Sequence, residues 1–157
     1  MKLWLKLLIC ILAIEVLGSL SALLTASSIQ GWFSSLERPP GNPPNWVFGP
    51  VWSILYAMIG TSLALFWHQS SPGPERTKGF SVFGFQFLLN LAWTPVFFGA
   101  QQIALALVVI AMLAIGIVLT MMVFRPVTRV ASLLLVPYLL WVSYATYLNA
   151  GFLYLNR

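Results

Sequence analysis

Seven tryptophans, five tyrosines and eleven phenylalanines are spread over 157 residues. Three of the tryptophans sit well inside apolar stretches and share helical faces with small or polar side chains. Trp52 lies one turn from Tyr56. Trp93 falls on a face with Gln86, Asn90 and Phe97. Trp141 falls near Tyr138, Ala145 and Leu148. Indole and phenol rings stack on flat molecules, apolar walls make up most small-molecule sites, and a few amides fix a polar edge. The residues therefore predict a pocket for a flat, hydrophobic ligand, with a small side chain at Ala145 leaving room beside Trp141. Asn90 and Gln86 have a second reading as ties between helices, each tie adding about 0.6 kcal/mol. Trp46 and Trp67 stand at segment ends, where tryptophan anchors a span at the membrane interface. Trp46 also fits a pocket wall.

Conventional catalysis finds little support. There is one cysteine, Cys10, and one histidine, His68. No disulfide framework, metal-ligand cluster or catalytic triad can be assembled from them. A single imidazole at the end of a span is a weak signal for haem ligation and suits a solvated side chain. Glu15 is the one carboxylate deep in an apolar stretch, which by default suggests function. With no basic residue at comparable depth, a bond to Ser19 or to a neighbouring helix is the expected arrangement.

These residues must be held by membrane spans. The chain is 60% apolar and 7% charged, with mean hydropathy +0.91. A water-soluble domain carries about 25% charged residues, so most of this surface must face lipid. The net charge of +5 is not clustered, which argues against nucleic-acid binding. Five apolar segments are long enough to cross a bilayer as helices: 3–26, 46–67, 80–98, 103–124 and 131–155. Strand alternation is absent, so a β-barrel is not expected. The fold class is thus an all-α, five-helix membrane bundle forming one domain over 1–157. A cleaved signal peptide is the rival reading for the first segment, but the apolar run is too long and Glu15 interrupts it.

Small residues recur along two segments, at Gly18, Ala22 and Ala26 and at Ser53, Ala57, Gly60 and Ala64. Such stripes let helices approach closely. The second segment also carries Trp52, Tyr56, Ile59, Leu63 and Trp67 on an adjacent stripe, read as a pocket wall. The fourth segment reads as a packing or lipid-facing helix. Pro95 should disturb the third helix near its end. Residues 27–45 form the longest loop. Four prolines and a glycine among residues 38–45 make it stiff and extended, since proline fixes φ and lacks an N–H. Lys2, Lys6, Arg76, Lys78, Arg125 and Arg129 fall on one side of the membrane, and Arg38 and Arg157 on the other. The excess of basic residues predicts a cytoplasmic N-terminus, with the proline loop and C-terminus opposite.

Four ordered signatures then carry a resemblance. They are Trp-Phe-x-x-Leu-x-Arg-Pro at 32–39, Pro-Pro-x-Trp-Val-Phe-Gly-Pro-Val-Trp-x-x-Leu-Tyr at 43–56, Asn-x-x-Trp-Thr-Pro-Val-Phe-Phe-Gly at 90–99, and Val-Pro-Tyr-Leu-Leu-Trp-Val-x-x-Ala-Thr-x-Leu-Asn at 136–149. The chain resembles the translocator protein / tryptophan-rich sensory protein family, formerly the peripheral benzodiazepine receptors. The resemblance implies a five-helix bundle, usually a homodimer, with a ligand pocket near the loop after the first helix. It implies porphyrin or haem, sterols and benzodiazepine-type or isoquinoline compounds as ligands, with no obligatory cofactor. Some bacterial members are linked to light-dependent protoporphyrin breakdown. The two tryptophans implicated there fall on Trp52 and Trp141, the catalytic candidates if that chemistry operates.

The chain departs from the family in the loop, where the usual lysine is Arg38 and the usual tryptophan is Gly41, which removes one aromatic contact from the lid. Leu148, Tyr154 and Arg157 fit the loose sterol pattern of animal members, but Ala150 occupies the tyrosine position. Sterol binding does not follow from it.

The expected function is a membrane tetrapyrrole-binding protein acting as sensor or translocator of hydrophobic ligands. The alternatives are a light-dependent porphyrin-degrading enzyme and a small-solute transporter or scaffold. A transporter would usually show internal repeats and charged midplane residues, and neither is evident. The expected ligand-contact residues are Trp46, Trp52, Tyr56, Gln86, Asn90, Trp93, Phe97, Tyr138, Trp141, Ala145 and Leu148.

Overall fold

In a bilayer core, backbone N–H and C=O groups must bond within the chain, and this sequence meets that demand with helices. A computed structural model describes the whole chain, Met1–Arg157. Five spans are long and apolar enough to cross a membrane. The first is α1, Leu3–Leu23, followed by the one-turn α2, Ala26–Gln30, and a 3₁₀ turn, Phe33–Ser35. The second is α3, Asn45–Gln69. The third is α4, Pro74–Thr94, which continues as a π-helical turn over Pro95–Gly99. The fourth is α5, Ile103–Phe124. The fifth is built from two pieces, α6, Arg129–Leu134, and α7, Val136–Leu155. The chain is an integral, multi-pass membrane protein.

Around the bundle, α1 packs on α3, α3 meets α6 and α7, and α5 lies between α4 and α7. The circle closes where α4 touches α1. The fourth span therefore does more than face lipid. It buries Ile110, Leu113, Gly116, Ile117, Thr120 and Phe124.

The largest differences from the sequence expectation lie at the start of the third span and inside the long loop. The stretch 74–79, read as loop from its proline, glycine and charges, is the first turn and a half of α4. Pro74 opens the helix where a missing N–H costs nothing, and Glu75 sits in the first turn, where negative charge suits the helix dipole. The loop read over 27–45 also contains short helical turns at both Ala26–Gln30 and Phe33–Ser35.

Side chains of other helices meet several backbone carbonyls where spans bend or end. Pro95 cannot donate to the carbonyl of Leu91, and the Ser21 hydroxyl of α1 donates to that oxygen instead, at 3.0 Å. Within α6, the Ala131 carbonyl accepts from the Ser62 hydroxyl of α3 at 2.6 Å, which ties the second span to the fifth. At the foot of α3, Arg76 donates through Nη2 to the Trp67 carbonyl at 3.2 Å and to the Ser70 carbonyl, and through Nε to the Ser70 hydroxyl at 3.0 Å.

Glycines set the closest approaches. A Cβ at Gly60 would lie 2.6 Å from Cα of Ile11, so α3 rides directly on the backbone of α1. A Cβ at Gly18 would meet the Tyr56 ring at 2.2 Å. Gly60→Ala should therefore force α1 and α3 apart, at about 1–3 kcal/mol. Gly84, in α4, has nothing within 4 Å of its Cβ position, so Gly84→Ala should be neutral or stabilising. Thermal unfolding of the two variants in one detergent checks the contrast, and equal losses would contradict the close contact.

Candidate functional site

The site begins with the proline loop and the way it is fastened. Gly41 has φ of +83°, a conformation that glycine adopts without strain. Its carbonyl accepts a hydrogen bond from the Tyr144 hydroxyl of α7. One turn on, the Tyr147 hydroxyl donates to the Pro40 carbonyl at 2.9 Å. Farther along α7, Pro39 lies against Gly151, where a Cβ would come within 2.5 Å. At the end of α7, Asn156 accepts from the Glu37 N–H and donates to the Glu37 carbonyl, both at 2.9 Å. The loop is thus laced along the last three turns of the fifth span. A tryptophan in place of Gly41 would need a strained backbone here, so the Gly41 departure and the loop path go together.

Beneath this loop lies a cavity of about 510 Å³, within the range of small-molecule sites. Trp52, Tyr56 and Phe48 of α3 form one wall and Trp141, Ala145 and Leu148 of α7 another. Asn90, Trp93 and Phe97 close it from α4 and its π turn. The Phe48 and Trp141 rings meet edge to face at 6.0 Å, and Trp52 lies over Tyr56 at 5.2 Å. A second aromatic cluster forms the outer end, where Phe33, Phe97 and Phe152 pack together.

No aspartate, glutamate, lysine, arginine or histidine lines the cavity. Its polar groups are amides, hydroxyls and an indole N–H. Asn42 of the loop lines it, and both polar atoms of its side chain are buried without a partner. Such groups are rare in folded proteins and stand ready to accept a partner.

Behind one wall runs a chain of hydrogen bonds. The Tyr56 hydroxyl donates to Asn90 Oδ1 at 3.2 Å, and Asn90 Nδ2 donates to the Tyr138 oxygen at 2.9 Å. The Tyr138 hydroxyl then donates to Gln86 Oε1 at 2.9 Å. Gln86 Nε2 ends the chain with no partner. Nearer the loop, Trp93 Nε1 donates to Asn149 Oδ1 at 2.9 Å, and Asn149 Nδ2 donates to the Ile103 carbonyl at 3.0 Å.

The eleven residues expected to touch a ligand thus separate into groups. Trp52, Tyr56, Asn90, Trp93, Phe97, Trp141, Ala145 and Leu148 meet on the cavity wall. Gln86 and Tyr138 are fully buried behind it as links of the hydrogen-bond chain. Trp46 is 76% exposed and does not reach the cavity. Trp67 and Leu63 lie on a separate groove. His68 is exposed at the end of α3. Glu15 is partly buried on α1, while Ser19, its expected partner, faces the cavity. The sequence reading missed Gly18, Ala22 and Ala26 as wall residues, along with Ile110 and Leu113 of α5 and Asn42 and Asn45 at the loop. The glycine–alanine spacing was a signal, read as packing alone.

Asn90→Leu leaves both tyrosine hydroxyls short of a partner and should cost about 1–3 kcal/mol. Because the links share partners, Asn90→Leu combined with Tyr138→Phe should cost less than the sum of the two. Thermal unfolding of the two single variants and the double variant measures this, and strict additivity would contradict a connected chain.

The comparisons with known proteins point one way. The sequence profile of the TspO/MBR family matches residues 10–155. The chain is 43% identical over 152 residues to the "Tryptophan-rich protein TspO" of Chlorobaculum tepidum, covering 97% of this chain and 96% of that one. It is 37% identical over 125 residues to the "Tryptophan-rich sensory protein" of Cereibacter sphaeroides, covering 80% and 77%. It is 36% identical over 119 residues to the human "Translocator protein", covering 75% and 70%.

Proposed function

The chain belongs to the TspO/MBR family, and on that footing we propose that it binds a tetrapyrrole in the cavity under the proline loop. The observation that carries this reading is the pairing of Trp52 and Trp141 on one uncharged, aromatic-walled cavity. Indole faces suit a flat macrocycle, and ring contacts of this kind contribute about 0.5–1.5 kcal/mol each beyond simple burial. The unpaired Asn42 carboxamide offers a polar contact for the ligand's edge. No imidazole or thiol lines the cavity, so a metal-free porphyrin is the natural probe. Binding in a membrane bundle with a fastened lid fits a sensor or translocator of hydrophobic ligands, working as a homodimer with its N-terminus in the cytoplasm. The basic residues at the start of α1 and between spans support that orientation.

Adding protoporphyrin to the protein in lipid nanodiscs should quench tryptophan fluorescence saturably. Trp52→Phe with Trp141→Phe should weaken binding about tenfold, equal to about 1.4 kcal/mol, while Trp46→Phe should not. Unchanged fluorescence in the intact protein would refute the reading.

A second reading rests on the same rings. Trp52 lies 5.2 Å from Tyr56 and 6.3 Å from Tyr138, centroid to centroid. Such a line of oxidisable rings suits electron donation to a photo-excited porphyrin with dioxygen as the oxidant. Under illumination the bound Soret band should then fade faster than that of free porphyrin, and Trp52→Phe with Trp141→Phe should remove the difference. Fading at the free rate, with the same products, would leave binding alone.

A further inference from the structure

A different site lies at the opposite end of the bundle. Lys6, near the start of α1, is only 8% exposed. Lysine is almost never buried this far without a partner. The chain's three carboxylates are Glu15, Glu37 and Glu75, and Lys6 pairs with none of them. Its ammonium instead stands over the Trp67 ring of α3, 5.0 Å from the centroid. A ring face attracts a cation but leaves its charge uncompensated.

The same Trp67 ring forms part of the wall of a groove between α1, α3 and α4, of about 370 Å³. Ile9 and Ala13 of α1, Leu63 of α3 and Phe80 of α4 make up most of the rest, and every lining side chain is apolar. Ile9 and Phe80 are exposed on the outer surface of the bundle, so the groove opens toward the hydrocarbon. An unpaired cation near a helix end, set against a ring that also walls an apolar groove on the lipid face, has the layout of a phospholipid. Lys2, Arg76 and Lys78 stand at the same end by the antiparallel course of α1, α3 and α4. Against the single Glu75 carboxylate at that end they leave the potential positive, which favours a net-negative headgroup over a zwitterionic one.

We propose that this groove holds one anionic phospholipid, its phosphate on the Lys6 ammonium and one acyl chain between α1, α3 and α4. The phosphodiester supplies the charge that Lys6 lacks, and the chain fills the groove beside Trp67. A free phosphate could satisfy only the lysine, so the lipid is distinguished by its need for both parts.

Native mass spectrometry of the full chain, released from bilayers of equal dioleoylphosphatidylglycerol and dioleoylphosphatidylcholine, tests this. The expected result is one retained phosphatidylglycerol, favoured about tenfold over phosphatidylcholine. Lys6→Met should abolish the preference, Lys6→Arg should keep it, and Lys2→Gln should leave it intact. Ala13→Phe, which fills the groove, should lower retention of both lipids. Glycerol phosphate, lacking chains, should not compete. Equal retention of the two lipids by the unaltered protein would overturn the proposal. So would a preference surviving Lys6→Met, or displacement by glycerol phosphate. Should Lys6→Met fail to assemble, loss of the preference in Lys6→Arg would overturn it equally.

Discussion

Apolar helices gain nothing by leaving a solvent as apolar as themselves, so a membrane bundle must be held by close contact and by hydrogen bonds. In this protein both devices converge on Tyr56. Its ring fills the notch left by Gly18 on α1, and its hydroxyl starts the chain through Asn90 and Tyr138 to Gln86. One side chain of α3 thereby fixes the positions of α1, α4 and α7. Backbone carbonyls are tied in the same way. Ser21 takes up the carbonyl that Pro95 frees in α4, and Ser62 ties α3 to the Ala131 carbonyl of α6.

The cavity follows from this bracing. Bonds through Asn90 hold the helices together at one level, and bonds through Trp93 and Asn149 hold them nearer the loop. Between these levels the small side chains of α1 and Ala145 leave space that the large rings border without filling. The lid is a stiff strap hydrogen-bonded to α7 by Tyr144, Tyr147 and Asn156. A site with no charged wall rewards shape and stacking over ion pairing, which is consistent with a flat, hydrophobic ligand.

The five spans were legible because long apolar runs with few charges have few other uses. Most of the cavity wall was legible too, since Trp52, Trp93 and Trp141 shared faces with small or polar residues. Three kinds of information were hidden. Periodicity gives the face of a helix but not its depth, so Gln86 and Tyr138 looked like ligand contacts although they lie behind the wall. Small residues on α1 looked like packing alone, although Gly18 both seats Tyr56 and borders the cavity. Composition also concealed the start of α4, because Pro74 and Glu75 serve a helix N-terminus as well as they serve a loop.

The central claim is that the rings of Trp52 and Trp141 face an interior hollow, sheltered from the acyl chains. Fluorine NMR of the chain uniformly labelled with 5-fluorotryptophan, in bilayers doped with spin-labelled lipid, measures this ring by ring, with single Trp→Phe variants assigning the signals. Trp4, which is 60% exposed on α1, should broaden strongly, while Trp52 and Trp141 should stay sharp. Broadening of Trp52 and Trp141 to the extent seen for Trp4 would contradict the account.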